Sequence, residues 1–269
     1  MIELGGYEGL SLNDNPGCPS GKQLADMAVF IEQRMSALRD DSQVAGLSRF
    51  FKTGKGQYGE GDRFLGIKVP TTRALVREIW RDCTLDDLRE PVASPWHEVR
   101  LCALLVLVQI FKHAKKNPQL RRECVDFYLS NTQYVNNWDL VDLSCYEILG
   151  PWLQDKDRSL LHELARNGKT IWEQRIGIVS CMHFIRCGEF DDAMAISDTL
   201  LHHPHDLIHK AVGWQLRSIG DRDHALLASY LSTPAPGESV PRCLSMPRTA
   251  LRYAIEKFPE AERRMLMEK

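Results

Sequence analysis

The apolar positions of this chain recur with helical spacing over most of its length. Leu75, Val76 and Ile79 share one face of a helix that begins near Pro70, and residues 101–108 form a continuous apolar run. Alternating apolar and polar strands joined by hairpin turns are not evident. The pattern therefore predicts an all-α protein.

Turn-forming residues divide this pattern into helix pairs. Ser94-Pro95 and Asn117-Pro118 are each typical of an N-cap followed by a first helical proline, whereas Gly150-Pro151 and Asn167-Gly168 are typical of helix ends. The predicted helix starts lie near 95 and 118, 137 and 157, 171 and 189, 205 and 222, and 246 and 260. Their pair spacing of roughly 35–40 residues is close to the ~40–47 of HEAT-type repeats. Because single pairs cannot bury their apolar faces, we expect an α-solenoid, a superhelix of HEAT-like repeats.

The domain organisation follows from where the helical pattern begins. Residues 1–21 contain Gly, Pro and Asn without apolar periodicity, which predicts an irregular N-terminal leader. From residue 22 onward the pattern continues without an internal boundary, so 22–269 is predicted to be one domain.

Composition excludes a strongly charged molecule. The chain has 34 Lys and Arg against 36 Asp and Glu, so any nucleic-acid surface must be a local patch. Residues 49–81 carry eight basic and three acidic side chains and predict such a patch. Taken singly, each of these cations is more simply an ordinary solvated charge. Candidate DNA-binding residues outside the helical motifs described below are Lys52, Lys55, Arg248 and Arg252.

Cysteine usage and hydropathy indicate a cytoplasmic protein. None of the 8 cysteines forms a CxxC pair, and no basic stretch followed by an apolar one begins the chain, which favours reduced, buried thiols. The longest apolar run is far shorter than the ~18 residues of a membrane span, so no membrane association is expected.

Of three motifs that resemble ligand sites, two are rejected and the third is disfavoured. Residues 54–59 match GxGxxG but lack the following helix of a dinucleotide site, and residues 17–22 are one residue short of a phosphate loop. His202, His203 and His205 flank a proline; a solvated turn is favoured there, with metal binding left open. The sequence thus predicts no metal and no nucleotide cofactor.

The first constellation that suits chemistry surrounds a tryptophan and an aspartate. Asn137 is a plausible N-cap, and Trp138 and Asp142, four residues apart, share one helix face. Asp139 is rotated away and is most simply a first-turn partner of the helix dipole. The alternative is that the Trp–Asp pair is purely structural.

The second constellation is a stripe of basic and aromatic residues. Lys210, Trp214 and Arg217 recur at i, i+4 and i+7, and cations that flank an aromatic suit a phosphate backbone with a sugar or base between them. Gly213 permits a close approach by another group. A core Trp with cations that extend to solvent remains the alternative.

Together these residues resemble the AlkD-like family of DNA alkylation repair glycosylases, over about residues 48–259. The motifs that carry the resemblance are Phe51-Lys52-Thr53-Gly54, Tyr58-Gly59-Glu60-Gly61-Asp62, Gly66-Ile67-Lys68-Val69-Pro70, Asn137-Trp138-Asp139-Leu140-Val141-Asp142, Trp172-Glu173-Gln174-Arg175, Lys210-Ala211-Val212-Gly213-Trp214 and Arg252-Tyr253-Ala254-Ile255-Glu256-Lys257.

The resemblance implies a solenoid with a basic concave groove for duplex DNA. It implies excision of cationic N3- and N7-alkylated purines, such as 3-methyladenine and 7-methylguanine, without metal and without base flipping. Separately, we expect the protein to be a monomer. Asp142, Trp138 and Trp214 correspond to the family's active-site residues, and Arg175 to an arginine near the lesion backbone. The competing classes are a non-catalytic helical-repeat scaffold and a DNA-structure-binding protein.

Overall fold

A computed structural model describes residues 27–268, so the predicted leader at 1–21 lies outside the described residues. Within that range the chain is helical, its only β pairings being isolated bridges, which confirms the all-α prediction. The α-helices, in chain order, are α1 (Met27–Ala37), α2 (Asp41–Phe50), α3 (Val69–Ile79), α4 (Arg89–Val92), α5 (His97–His113), α6 (Pro118–Ser130), α7 (Trp138–Asp142), α8 (Cys145–Leu153), α9 (Ser159–Asn167), α10 (Ile171–Val179), α11 (Met182–Cys187), α12 (Asp191–Thr199), α13 (Asp206–Gly220), α14 (His224–Ser232), α15 (Arg242–Ser245), α16 (Arg248–Ala254) and α17 (Glu260–Met267).

Side-chain caps explain why many of these helices begin where the sequence predicted. Asn117 Oδ1 accepts from the Leu120 amide at 3.0 Å and begins α6. Thr170 Oγ1 accepts from the Glu173 amide at 3.2 Å and begins α10. Each cap satisfies an amide that the first helical turn leaves without a partner.

The predicted start of α5 at Ser94-Pro95 is two residues early. Trp96 is extended, and the His97 amide donates to the Arg63 carbonyl at 2.8 Å. That tertiary hydrogen bond replaces a local cap, so the helix begins at His97. Ser94 accepts from the Trp96 amide at 3.3 Å and caps only the preceding turn.

The predicted helix end at Gly150-Pro151 is wrong, because both residues lie inside α8. A Cβ on Gly150 would lie 2.2 Å from His183 Cβ, so this glycine serves helix packing. The helix ends two residues after Pro151, at Leu153. The sequence also predicted no break between α7 and α8, where Ser144 Oγ donates to the Leu140 carbonyl at 2.5 Å.

The helices stack as a solenoid of repeats. In chain order α5, α7, α10, α13 and α16 each pack on the next, forming one layer. A second layer covers this one, with α6 on α5, α9 and α12 on α10, and α14 on α13. This order confirms the predicted α-solenoid, in which each repeat buries its apolar face on its neighbours.

The core runs continuously through both layers. The long apolar run predicted for α5 is buried along its length, as in Leu101, Leu104 and Leu107. The seven described cysteines are free, and all but Cys187 are buried, as expected for reduced thiols. Among residues 27–268, no helix has the length and apolar character needed to cross a membrane.

The close approach predicted at Gly213 is confirmed, and the approaching element is α16. A Cβ on Gly213 would lie 2.4 Å from Tyr253 Cβ and 2.5 Å from the Ala250 carbonyl oxygen. Glycine at this position therefore allows α16 to pack closely on α13.

Candidate active site

A cleft of about 710 Å³ lies where successive helices of the first layer present their side chains. It contains Trp138 and Asp142 from α7, Arg175 from α10, and Trp214 from α13. Four residues chosen from three separate repeats of the sequence thus share one cavity. Its remaining lining residues are Arg49, Phe50, Lys52, Tyr58, His205, Asp206, Leu207, Lys210, Arg217 and Tyr253.

Helix α7 presents Trp138 and Asp142 to the cleft one turn apart. Asn137 Oδ1 accepts from the Trp138 amide at 2.9 Å, so the predicted N-cap is confirmed. The half-buried indole of Trp138 stacks on Phe51, with ring centroids 5.2 Å apart, and meets the edge of Phe50 at 5.7 Å. Aromatic packing on one side therefore holds the indole while its other side faces the cleft.

Asp142 is held by two hydrogen bonds from Arg175. Nε donates to Oδ1 at 2.8 Å and Nη2 donates to Oδ2 at 2.7 Å, and the two side chains are 15% and 6% exposed, respectively. This fork geometry fixes the plane of the carboxylate. Burial raises the pKa of Asp142 above its usual value, and the Arg175 charge offsets part of that rise.

This pairing changes the expected role of Arg175. The sequence placed Arg175 on the DNA backbone, but its guanidinium also donates from Nη1 to the Leu207 carbonyl at 2.5 Å. Both ends of the guanidinium are therefore used within the protein. In this structure Arg175 orients the carboxylate and joins α7 to the start of α13.

The stripe on α13 lines the cleft as predicted. Trp214 is half-buried there, which contradicts the alternative of a core tryptophan. Lys210 Nζ lies 2.8 Å from the Asp206 carboxylate, and Arg217 pairs with Glu256. Both cations thus have acidic partners that a phosphate group would have to replace.

Another part of the cleft wall comes from the predicted basic segment. Arg49 and Lys52 line the cleft, and neither has an acidic partner within ion-pair distance among the described residues. Lys52 has a φ of 55°, a left-handed conformation that is strained for a residue with a side chain. Such strain concentrates at functional sites, where surrounding structure maintains it. Here the Gly59 amide donates to the Lys52 carbonyl at 3.1 Å and holds the turn.

Comparison with known proteins assigns the chain to a family. The family model described as DNA alkylation repair enzyme matches residues 31–258. The chain belongs to this family. Among solved structures, a predicted DNA alkylation repair enzyme from Enterococcus faecalis has the same fold, with a TM-score of 0.60, 14% sequence identity, and coverage of 82% of this chain and 97% of that chain. No curated protein matches the sequence.

Three cations predicted to bind DNA lie outside the cleft of this DNA alkylation repair family member. Lys55 is exposed and does not line it. Arg248 donates from Nη2 to the Met267 carbonyl at 2.5 Å and so holds the C-terminal helix α17. Arg252 lies on a separate cavity beside Ile255. Helical spacing alone did not show which way α16 faces.

The three histidines of the predicted turn do not share a site. His202 contacts Glu238 and His203 contacts Gln174, each at 2.9 Å. His205 Nδ1 accepts from the Leu207 amide at 3.1 Å and caps α13. Across residues 27–268, no group of three or more His, Cys, Asp or Glu side chains is arranged to hold a metal.

Apart from Arg49, which belongs to the predicted basic segment, six lining residues were not predicted as site residues from the sequence: Phe50, Tyr58, His205, Asp206, Leu207 and Tyr253. Tyr58 belongs to a motif of the family resemblance, and Phe50 directly precedes another. The resemblance is the one signal in the sequence that could have found these two residues. His205 was taken for a solvated turn, and Tyr253 reaches the cleft only because α16 packs on Gly213.

Proposed function

We propose that this DNA alkylation repair protein is a glycosylase that releases cationic N3- and N7-alkylated purines, such as 3-methyladenine and 7-methylguanine, from duplex DNA. The observation that carries the proposal is the convergence of Asp142, Trp138 and Trp214 in one cleft with cations on its walls. Membership of the DNA alkylation repair family supports the same activity.

Asp142 supplies the electrostatic part of the reaction. A cationic alkylpurine is already a good leaving group, and breaking its C1′–N bond develops positive charge on the deoxyribose. A fixed carboxylate in a site of reduced dielectric stabilises that charge and orients the attacking water. Ordinary glycosidases need a second carboxylic acid to protonate the leaving group. Here the other carboxylate of the cleft, Asp206, is paired with Lys210, and the reaction does not need it.

The two indoles contribute on either side of the reacting sugar. Trp138 and Trp214 offer aromatic faces to the developing cation, and a cation–π contact is worth ~0.5–2 kcal/mol. Arg49, Lys52 and Lys210 bind the phosphate backbone, which positions the duplex without reading sequence.

The cleft lining favours recognition of sugar and backbone over recognition of an extruded base. A pocket for a flipped base reads its edge by hydrogen bonds. Among residues 27–268, the cleft lining consists of aromatic residues, cations, one leucine, His205 and two paired carboxylates, with no Asn, Gln, Ser or Thr side chain. We therefore propose that the lesion stays in the duplex. We also propose that no metal takes part and that the protein acts as a monomer on DNA in the cytoplasm.

Release of free alkylpurine tests the proposal. The full chain is incubated with a duplex that carries one 7-methylguanine, and the products are separated by chromatography, with the unmethylated duplex as the control. We expect free 7-methylguanine and an abasic strand from the methylated duplex only. Binding without release would instead support a DNA-structure-binding protein. A protein that neither binds the duplex nor releases the base would support a protein-binding scaffold.

A further inference from the structure

A buried ionic network lies behind α7, outside the cleft residues assigned above. His97 Nδ1 lies 2.8 Å from Asp62 Oδ2, and His97 Nε2 lies 2.8 Å from Asp139 Oδ2. All three side chains are 6% exposed or less. An ionised carboxylate can only accept a hydrogen bond, so with Asp62 and Asp139 both ionised the His97 ring carries hydrogen on both nitrogens and is an imidazolium.

The network is balanced in charge and joins three segments. Arg100 Nη2 donates to Asp62 Oδ1 at 2.5 Å, so two buried cations meet two buried carboxylates. Asp62 belongs to the turn after Lys52, His97 begins α5, and Asp139 lies in the first turn of α7. Asp139 therefore does more than meet the helix dipole, which corrects the role predicted from the sequence.

The network reaches the cleft through α7 in two ways. Asn137, the N-cap of α7, donates from Nδ2 to Asp62 Oδ2 at 3.2 Å, so the cap that begins the helix is itself held. The His97 ring also lies 4.9 Å from the ring of Phe51, which stacks on Trp138 at 5.2 Å. Both contacts act on the five-residue helix that carries Trp138 and Asp142.

We propose that His97 is a positioning residue: as an imidazolium bridging Asp62 and Asp139, it fixes α7 and so sets the placement of Trp138 and Asp142 in the cleft. The catalytic consequence rests on the proposed glycosylase function. The structural consequence, which is the placement of Trp138, is independent of that function.

The charged groups around His97 make its bridge to Asp62 and Asp139 sensitive to alkaline pH. Burial lowers the pKa of His97, but Asp139 and Asp62 outweigh burial and raise it to about 9. Arg100 is the other charged group of the network, and the neighbouring Glu98 accepts from backbone amides of residues 65–67. Because the folded-state pKa is raised, the bridge is complete below that pH and is lost as pH rises through about 9.

The test compares two histidines of α5. His97→Gln removes the bridge, and His113→Gln, at the exposed end of the same helix, is the control. The protein is labelled with 5-fluorotryptophan, and the ¹⁹F resonance of Trp138 is assigned by its loss in Trp138→Phe. We expect His97→Gln to move the Trp138 resonance and leave DNA affinity unchanged. Since small misplacements of reacting groups are costly, we expect single-turnover base release to slow by roughly 10- to 100-fold. His113→Gln should change neither, and should affect only the Trp80 resonance, because His113 stacks on Trp80.

A folded His97→Gln protein with an unchanged Trp138 resonance would overturn the proposal. If that variant does not fold, the wild-type protein decides. Its Trp138 resonance should follow one transition near pH 9, and a resonance that stays constant from pH 7 to about 10 would contradict the bridge. If the wild type releases no alkylpurine, the glycosylase proposal fails while the resonance still tests His97.

Discussion

At the scale of single side chains, the cleft brings one carboxylate, that of Asp142, together with two half-buried indoles. Arg175 holds the Asp142 carboxylate through both oxygens, and its charge offsets part of the rise in the Asp142 pKa that burial causes. Interactions between charges strengthen as the local dielectric falls, so a carboxylate with 15% exposure acts on a nearby cation more strongly than a solvated one.

Trp214→Ala tests whether this indole acts on the substrate. We expect base release to slow by roughly 2- to 30-fold, since one cation–π contact of ~0.5–2 kcal/mol is lost. The melting temperature should change little because Trp214 is half-buried at the cleft wall. Trp152→Ala is the control: Trp152 is also half-buried but lies on α8, away from the cleft. Base release by Trp214→Ala at the parental rate would show that the indole takes no part in the reaction.

At the scale of helices, close packing places the site residues. The contact of α13 with α16 depends on Gly213, whose missing side chain leaves room for Tyr253 Cβ and the Ala250 carbonyl. The sequence located the helix starts because caps and prolines act locally. It missed the break before α8, where Ser144 Oγ donates to the Leu140 carbonyl. It also missed the packing role of Gly150, because that role depends on His183, which is distant along the chain.

Gly213→Val tests this contact. The added side chain meets backbone and Cβ atoms that cannot move aside, and overpacking typically costs about 1–3 kcal/mol of unfolding free energy. Urea denaturation measures the change. Gly46→Ala is the matched control, because no atom lies within 4 Å of its added Cβ in α2, and removing a helical glycine stabilises by up to ~1 kcal/mol. Equal stability of Gly213→Val and the parent would contradict the packing account.

At the scale of the whole molecule, a nearly neutral chain concentrates cations on one cleft. Five cationic side chains line it, but Arg175, Lys210 and Arg217 already have acidic partners. Helical spacing found Trp138 with Asp142 and Lys210 with Trp214, since both sets lie on single helices. It could not show that Arg248 and Arg252 face elsewhere, because the orientation of α16 depends on tertiary packing.

The salt dependence of DNA binding tests this charge distribution. Each phosphate contact adds about −0.9 to the slope of log K against log salt concentration, so two to five contacts predict slopes of roughly −2 to −4.5. Lys52→Ala should make the slope shallower by about 1, whereas Lys55→Ala, three residues away and outside the cleft, should leave it unchanged. A flat response in the parent protein would argue against phosphate contacts altogether.

The central claim is that the Asp142 carboxylate stabilises the sugar cation as the glycosyl bond breaks. The most direct measurement is the single-turnover rate of 7-methylguanine release by Asp142→Asn, with DNA affinity measured in parallel. The amide keeps the shape of the side chain but loses its charge, so we expect retained binding and a rate lower by about 10²–10³-fold. Release at the parental rate, from protein that binds DNA normally, would contradict the claim.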